Sequence, residues 1–318
     1  MKYLPILAMV GAACLSVLGA DPAHAQATRT WVSNAGDDLN PCSFTAPCKT
    51  FAGAISKTAI NGEINCLNSG GYGPVQIAKS ITIDCHDVFA SILAGGTSPT
   101  VGIIVNIAAG NANDPLRTVR IRNVSITGAG TSGTVGTRVG INGIFILQAA
   151  AVFIEDVVIT DFTQIGLRDF RNSSGPLVIR NTVVRNNGSI GIQVAPATGS
   201  AVSATIDNSH ANFNAHGLVV ANGSKAIVNR SVFSGNTGFG IDSEPGSEIN
   251  VNESVSSFNG VGLQASGIAR LSNSDVVFNA TGLAGTPNSF GNNRVSGNAT
   301  AGATPTPMGA VAEAAGQE

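Results

Sequence analysis

Charge and aromatic rings are both scarce in this chain: Asp, Glu, Lys and Arg make up 11% of residues, and Phe, Trp and Tyr 5%. A formal net charge of −2 without a basic stripe excludes a nucleic-acid partner, which needs clustered Lys and Arg against phosphates. The shortage of rings also limits passive sugar binding. Trp31 is assigned to packing near the N-terminus, leaving Tyr72 and Phe145 as exposed candidates. No segment past the N-terminal region approaches ~20 unbroken apolar residues, so no membrane span is expected. Helix-period patterning is nearly absent, which removes the crossovers of an ordinary α/β fold. Cys-x-x-Cys and paired histidines are missing too, so no metal site is expected from the residues alone.

Glycine, at 39 residues, and asparagine are abundant, a composition that suits short strands joined by tight turns. Lys2, the apolar run from Leu4 to Leu18, and Ala23-His24-Ala25 before Gln26 read as a cleaved leader over residues 1–25. The protein is therefore expected in the periplasm or outside the cell. Cys42, Cys48, Cys66 and Cys85 follow the leader, and an even number in an exported chain implies two disulfides. Three connectivities exist; Cys42–Cys48 and Cys66–Cys85 are favoured.

From about residue 120 a Gly followed by Ile or Leu recurs at Gly143, Gly166, Gly191, Gly217, Gly240, Gly262 and Gly282, with spacings of 23, 25, 26, 23, 22 and 20. A second phrase keeps step with it, at Ile121, Ile154, Ile179, Ile206, Val228, Val251 and Leu271, each followed by two polar residues. Periods of this length mean a solenoid. In residues 177–194, period-2 alternation gives three short strands, Leu177-Val178-Ile179, Thr182-Val183-Val184 and Gly191 to Val194, separated by polar turns. The expected fold is all-β: a right-handed parallel β-helix of three sheets and seven or eight rungs. A leucine-rich repeat would need Leu-x-x-Leu-x-Leu-x-x-Asn and a helical return, and a left-handed β-helix a six-residue period; none of these is present.

The phasing assigns Phe213, Phe258 and Phe278, each seven residues past the strand-opening Ile, Val or Leu, to an internal aromatic stack with Phe233. An Asn ladder is expected at the tight turn. Residues 26–60 form a cap whose amphipathic helix, Lys49 to Ala59, turns Phe51 and Ile55 to one face. The β-helix is expected over 61–298, and 299–318 as a disordered tail.

Thr30-Trp31-Val32-Ser33, Gly36-Asp37-Asp38, Asn40-Pro41-Cys42 and Pro47-Cys48-Lys49-Thr50-Phe51 together resemble the N-terminal cap of pectin-lyase-like right-handed β-helix proteins. Within these the chain is most similar to an exported bacterial group carrying this cysteine pair. The resemblance covers roughly residues 29 to 297. It implies fold and export but no activity. It also implies that substrate lies along the outer face of one parallel sheet, walled by loops.

On that analogy the outward positions of the Gly-Ile strands are Phe145, Arg168, Gln193, Val219, Asp242 and Gln264, with loops 128–138, 168–176 and 195–202 raising walls. Arg168, Asp169 and Arg171, with Asp161 upstream, form the densest charge cluster and are read as a surface patch. As a lyase site, Arg168 or Arg171 would take the α-proton while Asp161 and Asp169 held calcium; otherwise no cofactor is called for. A second calcium acid is missing from the next outward positions, Gln193 and Val219. Asp169 and Asp242 stand three rungs, ~14 Å, apart, too far for a hydrolytic carboxylate pair. Ala215-His216-Gly217 reads as a turn histidine that caps a strand. The expected function is a monomeric, non-catalytic module binding polysaccharide or cell-surface glycan, or an adhesive scaffold; the alternative is a polysaccharide lyase or hydrolase with a diverged site.

Overall fold

The structure, a computed structural model, describes residues 26–95, 100–128 and 140–309. The expected leader, nearly all of the 128–138 wall and the last nine residues lie outside these. Three all-parallel sheets wind about one axis: sheet A with twelve strands, sheets B and C with ten each, every strand pairing with its equivalent one coil away. The chain has the right-handed parallel β-helix fold, with ten coils among the described residues where seven or eight were expected.

In-register pairing turns each inward position into a column. Ile64, Ile83, Ile121, Ile154, Ile179, Ile206, Val228, Val251 and Leu271 line sheet A and are all buried. The residues after the repeated glycines, from Ile144 through Leu167, Ile192 and Leu218 to Leu283, do the same in sheet C. Each such side chain stabilises by ~1.5–3 kcal/mol on burial. The glycines themselves make room. A Cβ on Gly217 would stand 2.4 Å from the Gly240 carbonyl and 2.9 Å from the Asn236 amide.

That amide belongs to a ladder at the turn from sheet B to sheet C, buried at Asn187, Asn214, Asn236, Asn259 and Asn279 and ending at the half-buried Asn298. Asn236 shows the pattern. Its Oδ1 accepts from the Asn214 backbone N–H at 3.0 Å, and its Nδ2 donates to the Ala211 carbonyl at 3.0 Å and to Asn259 Oδ1 at 2.9 Å. The expected ladder at the other turn, from sheet A to sheet B, is shorter and exposed, joining Asn208, Asn181 and Asp156.

The aromatic assignment needs correcting. Phe233 is buried, seated between small neighbours Ala211 and Ser256, but Phe213, Phe258 and Phe278 are 63%, 63% and 57% exposed. Each occupies a left-handed conformation, φ 57 to 59°, at a position that is Asp161, Asn186, Gly235 or Gly297 in other coils. The chain turns on this residue, so alternation restarts and the inward place passes to the next residue, the ladder asparagine. A Phe there costs about 1–2 kcal/mol relative to glycine. The outward register of sheet C is unaffected, since Leu218, Ile241 and Leu263 still face inward.

Outside sheet A, stacking alternates charge down one column: Asp84, Arg122, Glu155, Arg180 and Asp207. Arg122 Nε meets Glu155 Oε2 at 2.7 Å and Arg180 Nη1 meets Glu155 Oε1 at 3.3 Å.

At the N-terminal end the helix spans only Phe51–Lys57, capped by Thr50, whose hydroxyl accepts from Gly53 N–H at 2.9 Å; Ala59 is already in the second strand of sheet A, Thr58–Cys66, which pairs with the first, Ala27–Val32. Asp38 Oδ1 fixes the approach by accepting from Lys49 and Thr50 N–H at 2.8 and 2.9 Å. Phe51 packs on Tyr72 with centroids 5.3 Å apart, and both are buried, so Tyr72 is no exposed sugar platform. The disulfides are Cys42–Cys48 and Cys66–Cys85. At the other end, strands Thr300–Gly302 and Thr306–Pro307 carry the coil past the expected boundary at 298. Their residues are small and polar, but backbone pairing to the previous coil suffices.

Asn236→Ala leaves the Asn214 N–H and the Ala211 carbonyl unpaired in the core, at ~1–3 kcal/mol each. Chemical denaturation is expected to show a loss of about 2–5 kcal/mol, whereas substitution of the exposed Asn208 costs well under half of that.

Candidate functional site

Sheet C presents its outward column as expected: Phe145, Arg168, Gln193, Val219, Asp242 and Gln264 are direct partners from strand to strand. The column runs roughly 24 Å, five steps of ~4.8 Å. Its parts differ in character.

Near its N-terminal end the Arg168 guanidinium lies between two rings, 5.2 Å from the Phe145 centroid and 4.9 Å from that of Phe170. Phe145 comes from the preceding coil, while Phe170 follows directly on the strand Ile165–Asp169, its N–H still bonded to the Ile146 carbonyl at 2.9 Å, and is two residues from Arg168, so it has the same parity. Ring faces hold a guanidinium by cation–π attraction and leave its N–H edge in plane. Arg168 has no acidic partner among the described residues. Its Nε and the Gln193 Oε1 in the next coil are buried without hydrogen-bond partners, as is Asn142 Oδ1 on the strand of Phe145. Unpaired buried polar atoms are uncommon, and the Arg168 and Gln193 atoms, adjacent on one outward column, mark a place where polar groups await a partner; Asn142, of the opposite parity, does not share that face.

The rest of the charge cluster does not join Arg168. Alternation within Ile165–Asp169 turns Asp169 inward, and Arg171 follows it beneath the loop; both are fully buried. Arg171 Nε meets the two Asp169 carboxylate oxygens at 2.9 and 3.0 Å, and its Nη1 donates to the Pro176 carbonyl at 3.2 Å. This corrects the reading of Asp169 and Arg171 as surface groups: they form an ion pair that ties down the 170–176 loop. Loop 195–202 stacks on it through Ala195 N–H to the Asp169 carbonyl and Ala197 N–H to the Arg171 carbonyl, both 2.9 Å. Asp161 occupies the left-handed turn between sheets B and C, at φ 66°, a corner away from the column. The donors proposed for calcium therefore do not converge, Asp169 being neutralised inside by Arg171. No group of three or more His, Cys, Asp or Glu among the described residues could hold a metal ion.

Further along, Asp242 is only 9% exposed although it points outward. Burial, aided by the Glu244 carboxylate two residues on, pushes its carboxyl up to about 6. His216, on the neighbouring column of the same sheet, tilts against Phe239 at 5.0 Å and accepts that residue's backbone N–H on Nδ1 at 3.2 Å. Burial lowers its pKa, leaving a neutral ring that caps the strand. Sequence reasoning missed Phe170 and Glu244; both share the outward parity of Arg168 and Asp242, which was the available signal.

No protein-family model matches the chain, and no curated protein matches it. Among solved structures it is similar to the pectate lyase Pel9A at 14% identity and TM-score 0.46, over 89% of this chain and 77% of that one. It is similar also to the A-module of the Azotobacter vinelandii mannuronan C-5 epimerase AlgE4, at 14% identity and TM-score 0.48, over 78% and 91%. A rhamnogalacturonan lyase follows at 11% identity and TM-score 0.42, over 78% and 74%.

Asp242 gives a pH signature. Its folded-state pKa is raised from 3.8 to about 6, so the folded chain holds this proton more tightly than the unfolded one. Its contribution to stability is complete below about pH 4 and lost as pH rises through about 6, by up to about 3 kcal/mol. Across thermal melts from pH 4 to 7, wild type is expected to lose stability relative to Asp242→Asn; parallel curves would rule out the shifted carboxyl.

Proposed function

We propose that this is an exported, non-catalytic module that binds acidic polysaccharide along the outer face of sheet C. The observation carrying this reading is the Arg168 guanidinium clamped between Phe145 and Phe170, without an acidic partner among the described residues and beside the unpaired Gln193 oxygen. A clamped guanidinium offers a planar, preoriented edge to a carboxylate, and its entropy of ordering is already lost in the free protein. A uronate residue supplies that carboxylate. Its C–H face fits the rims of the two rings, and its hydroxyls can satisfy Gln193.

Lyase chemistry is the competing reading for the same face. It requires a charge-neutralising group near the uronate carboxylate and a base near the α-proton. Arg168 can serve one of these tasks but not both. Asp169 and Arg171 are occupied with each other inside the coil. Asp242 is three coils from Arg168, ~14 Å away. Among the described residues, this separation supports binding without turnover.

The test is titration of the purified protein with polygalacturonate and alginate, with ultraviolet absorbance of unsaturated uronates followed in parallel, with and without calcium. Binding without new absorbance is expected. Arg168→Ala should weaken it about tenfold to a hundredfold, the loss of a charge-assisted hydrogen bond at ~1.5–3 kcal/mol, and added salt should weaken the wild type. Because Asp242 ionises near pH 6 and then repels a uronate chain, affinity should fall as pH rises from 5 to 7, and Asp242→Asn should flatten that fall. Unsaturated product that disappears in Arg168→Ala would establish the lyase instead.

A further inference from the structure

We infer that the corner carrying Phe213, Phe258 and Phe278 is a second binding site, one that takes a neutral pyranose chain by ring stacking. It lies at the turn between sheets B and C, apart from the Arg168 column, and stands independently of the acidic-polysaccharide reading. The three rings are the residues at the left-handed position of that turn, all more than half exposed. Bulky side chains are rare in that conformation, and aspartate, asparagine or glycine fills it in other coils, at Asp161, Asn186, Gly235 and Gly297. Strain of this kind persists only where the surrounding structure over-determines it, and it clusters at functional sites.

The rings form an interrupted ladder. Phe258 stacks on Phe278 with centroids 5.5 Å apart and planes 19° apart. Phe213 lies over Gly235, where a Cβ would come within 2.6 Å of its ring. Gly235 supplies no side chain to the coil between Phe213 and Phe258, so the column leaves Phe258 without a ring partner on that side. The coil spacing of ~4.8 Å is close to the length of one sugar ring along a chain. The Phe213 ring itself covers Gly235, so a pyranose would sit beyond it, between Phe213 and Phe258, with its apolar C–H face against Phe258.

Polar groups stand beside the rings. The outward residues just before the turn are Asn212, Ser234, Ser257 and Val277, none of them charged. Asn212 uses its side-chain oxygen to accept from Ser234 N–H at 2.9 Å, which leaves its NH2 group for a sugar hydroxyl. The four positions beside the rings are uncharged, with Arg185 one coil before Asn212 and the Asp275–Arg294 pair two residues back from Val277, and their hydroxyl and amide groups suit a neutral glycan. The exposed area argues against a protein partner or a second copy. Three rings of this exposure offer about 300–450 Å², against ~800 Å² per partner in a stable interface.

Native gel electrophoresis through hydroxyethyl cellulose, soluble β-1,3-glucan or alginate tests the site, with wild type, Phe258→Asn and Arg168→Ala compared. Asparagine accepts the left-handed conformation, so Phe258→Asn should melt at or above the wild-type temperature. We expect wild type to be retarded in at least one neutral gel, Phe258→Asn to bind that glycan at least fivefold more weakly, and Arg168→Ala to match wild type there. In alginate the two variants should exchange roles, so loss of acidic binding alone leaves this site standing. Absence of retardation in both neutral gels overturns the proposal. So does neutral-glycan binding by Phe258→Asn equal to wild type, whether or not its melting temperature falls. Sedimentation showing a wild-type dimer that Phe258→Asn dissociates would assign the corner to self-association and overturn it as well.

Discussion

In-register stacking at ~4.8 Å is the constraint from which the rest of this molecule follows. Each side chain has its own equivalent directly above and below, so a contact that is favourable once is repeated down the coil, and so is a poor one. Branched aliphatic residues meet the condition inside because like shapes pack on like shapes. Asparagine meets it at the turn because one amide both donates and accepts, so Asn187 to Asn298 can satisfy one another and the buried backbone together. Charges of one sign cannot meet it, and sheet A alternates Asp84, Arg122, Glu155, Arg180 and Asp207. Where a large residue interrupts a column, its neighbours shrink, as Ala211 and Ser256 do around Phe233.

Stacking also explains which parts of the structure could be read from the chain. The columns of Ile, Val and Leu, the glycines before them and the outward line from Phe145 to Gln264 all repeat with the coil, and a repeat survives small errors of phase. The second turn did not survive. Counting seven residues from Ile206 to Phe213 assumed one break in alternation per coil, whereas the left-handed residue at the end of sheet B introduces another. Hydrophobicity then drew three phenylalanines inward on paper. The correcting signal was in the same column: Asn186, Gly235 and Gly297 are residue types that accept positive φ, and an interior aromatic stack has no use for them.

The charge cluster failed for a related reason. Parity alone sends Asp169 inward, where an unpaired carboxylate would be costly. What makes it tolerable is Arg171, two residues on, which donates to both carboxylate oxygens and to the Pro176 carbonyl. Such a partnership depends on the path of the loop after the strand, which no alternation rule describes. The raised pKa of Asp242 was equally out of reach, since parity predicts its direction but not how closely its surroundings cover it.

The same constraint bears on what a rod of this kind can do. Catalysis asks unlike groups to converge within a few ångströms, and in a parallel stack only adjacent coils or alternate residues of one strand meet that demand. Arg168 has rings and an amide within that reach, while the nearest outward carboxylate on its column is three coils away. A long polymer needs no such convergence. It repeats along its length as the protein does, so contacts that are individually weak act in series, each held near the next by the rigid spacing of the coils. On this view the Phe145–Arg168–Phe170 clamp and the uncharged phenylalanine corner are two answers to one geometry. Their difference in charge, rather than any difference in fold, would decide which polymer each face accepts.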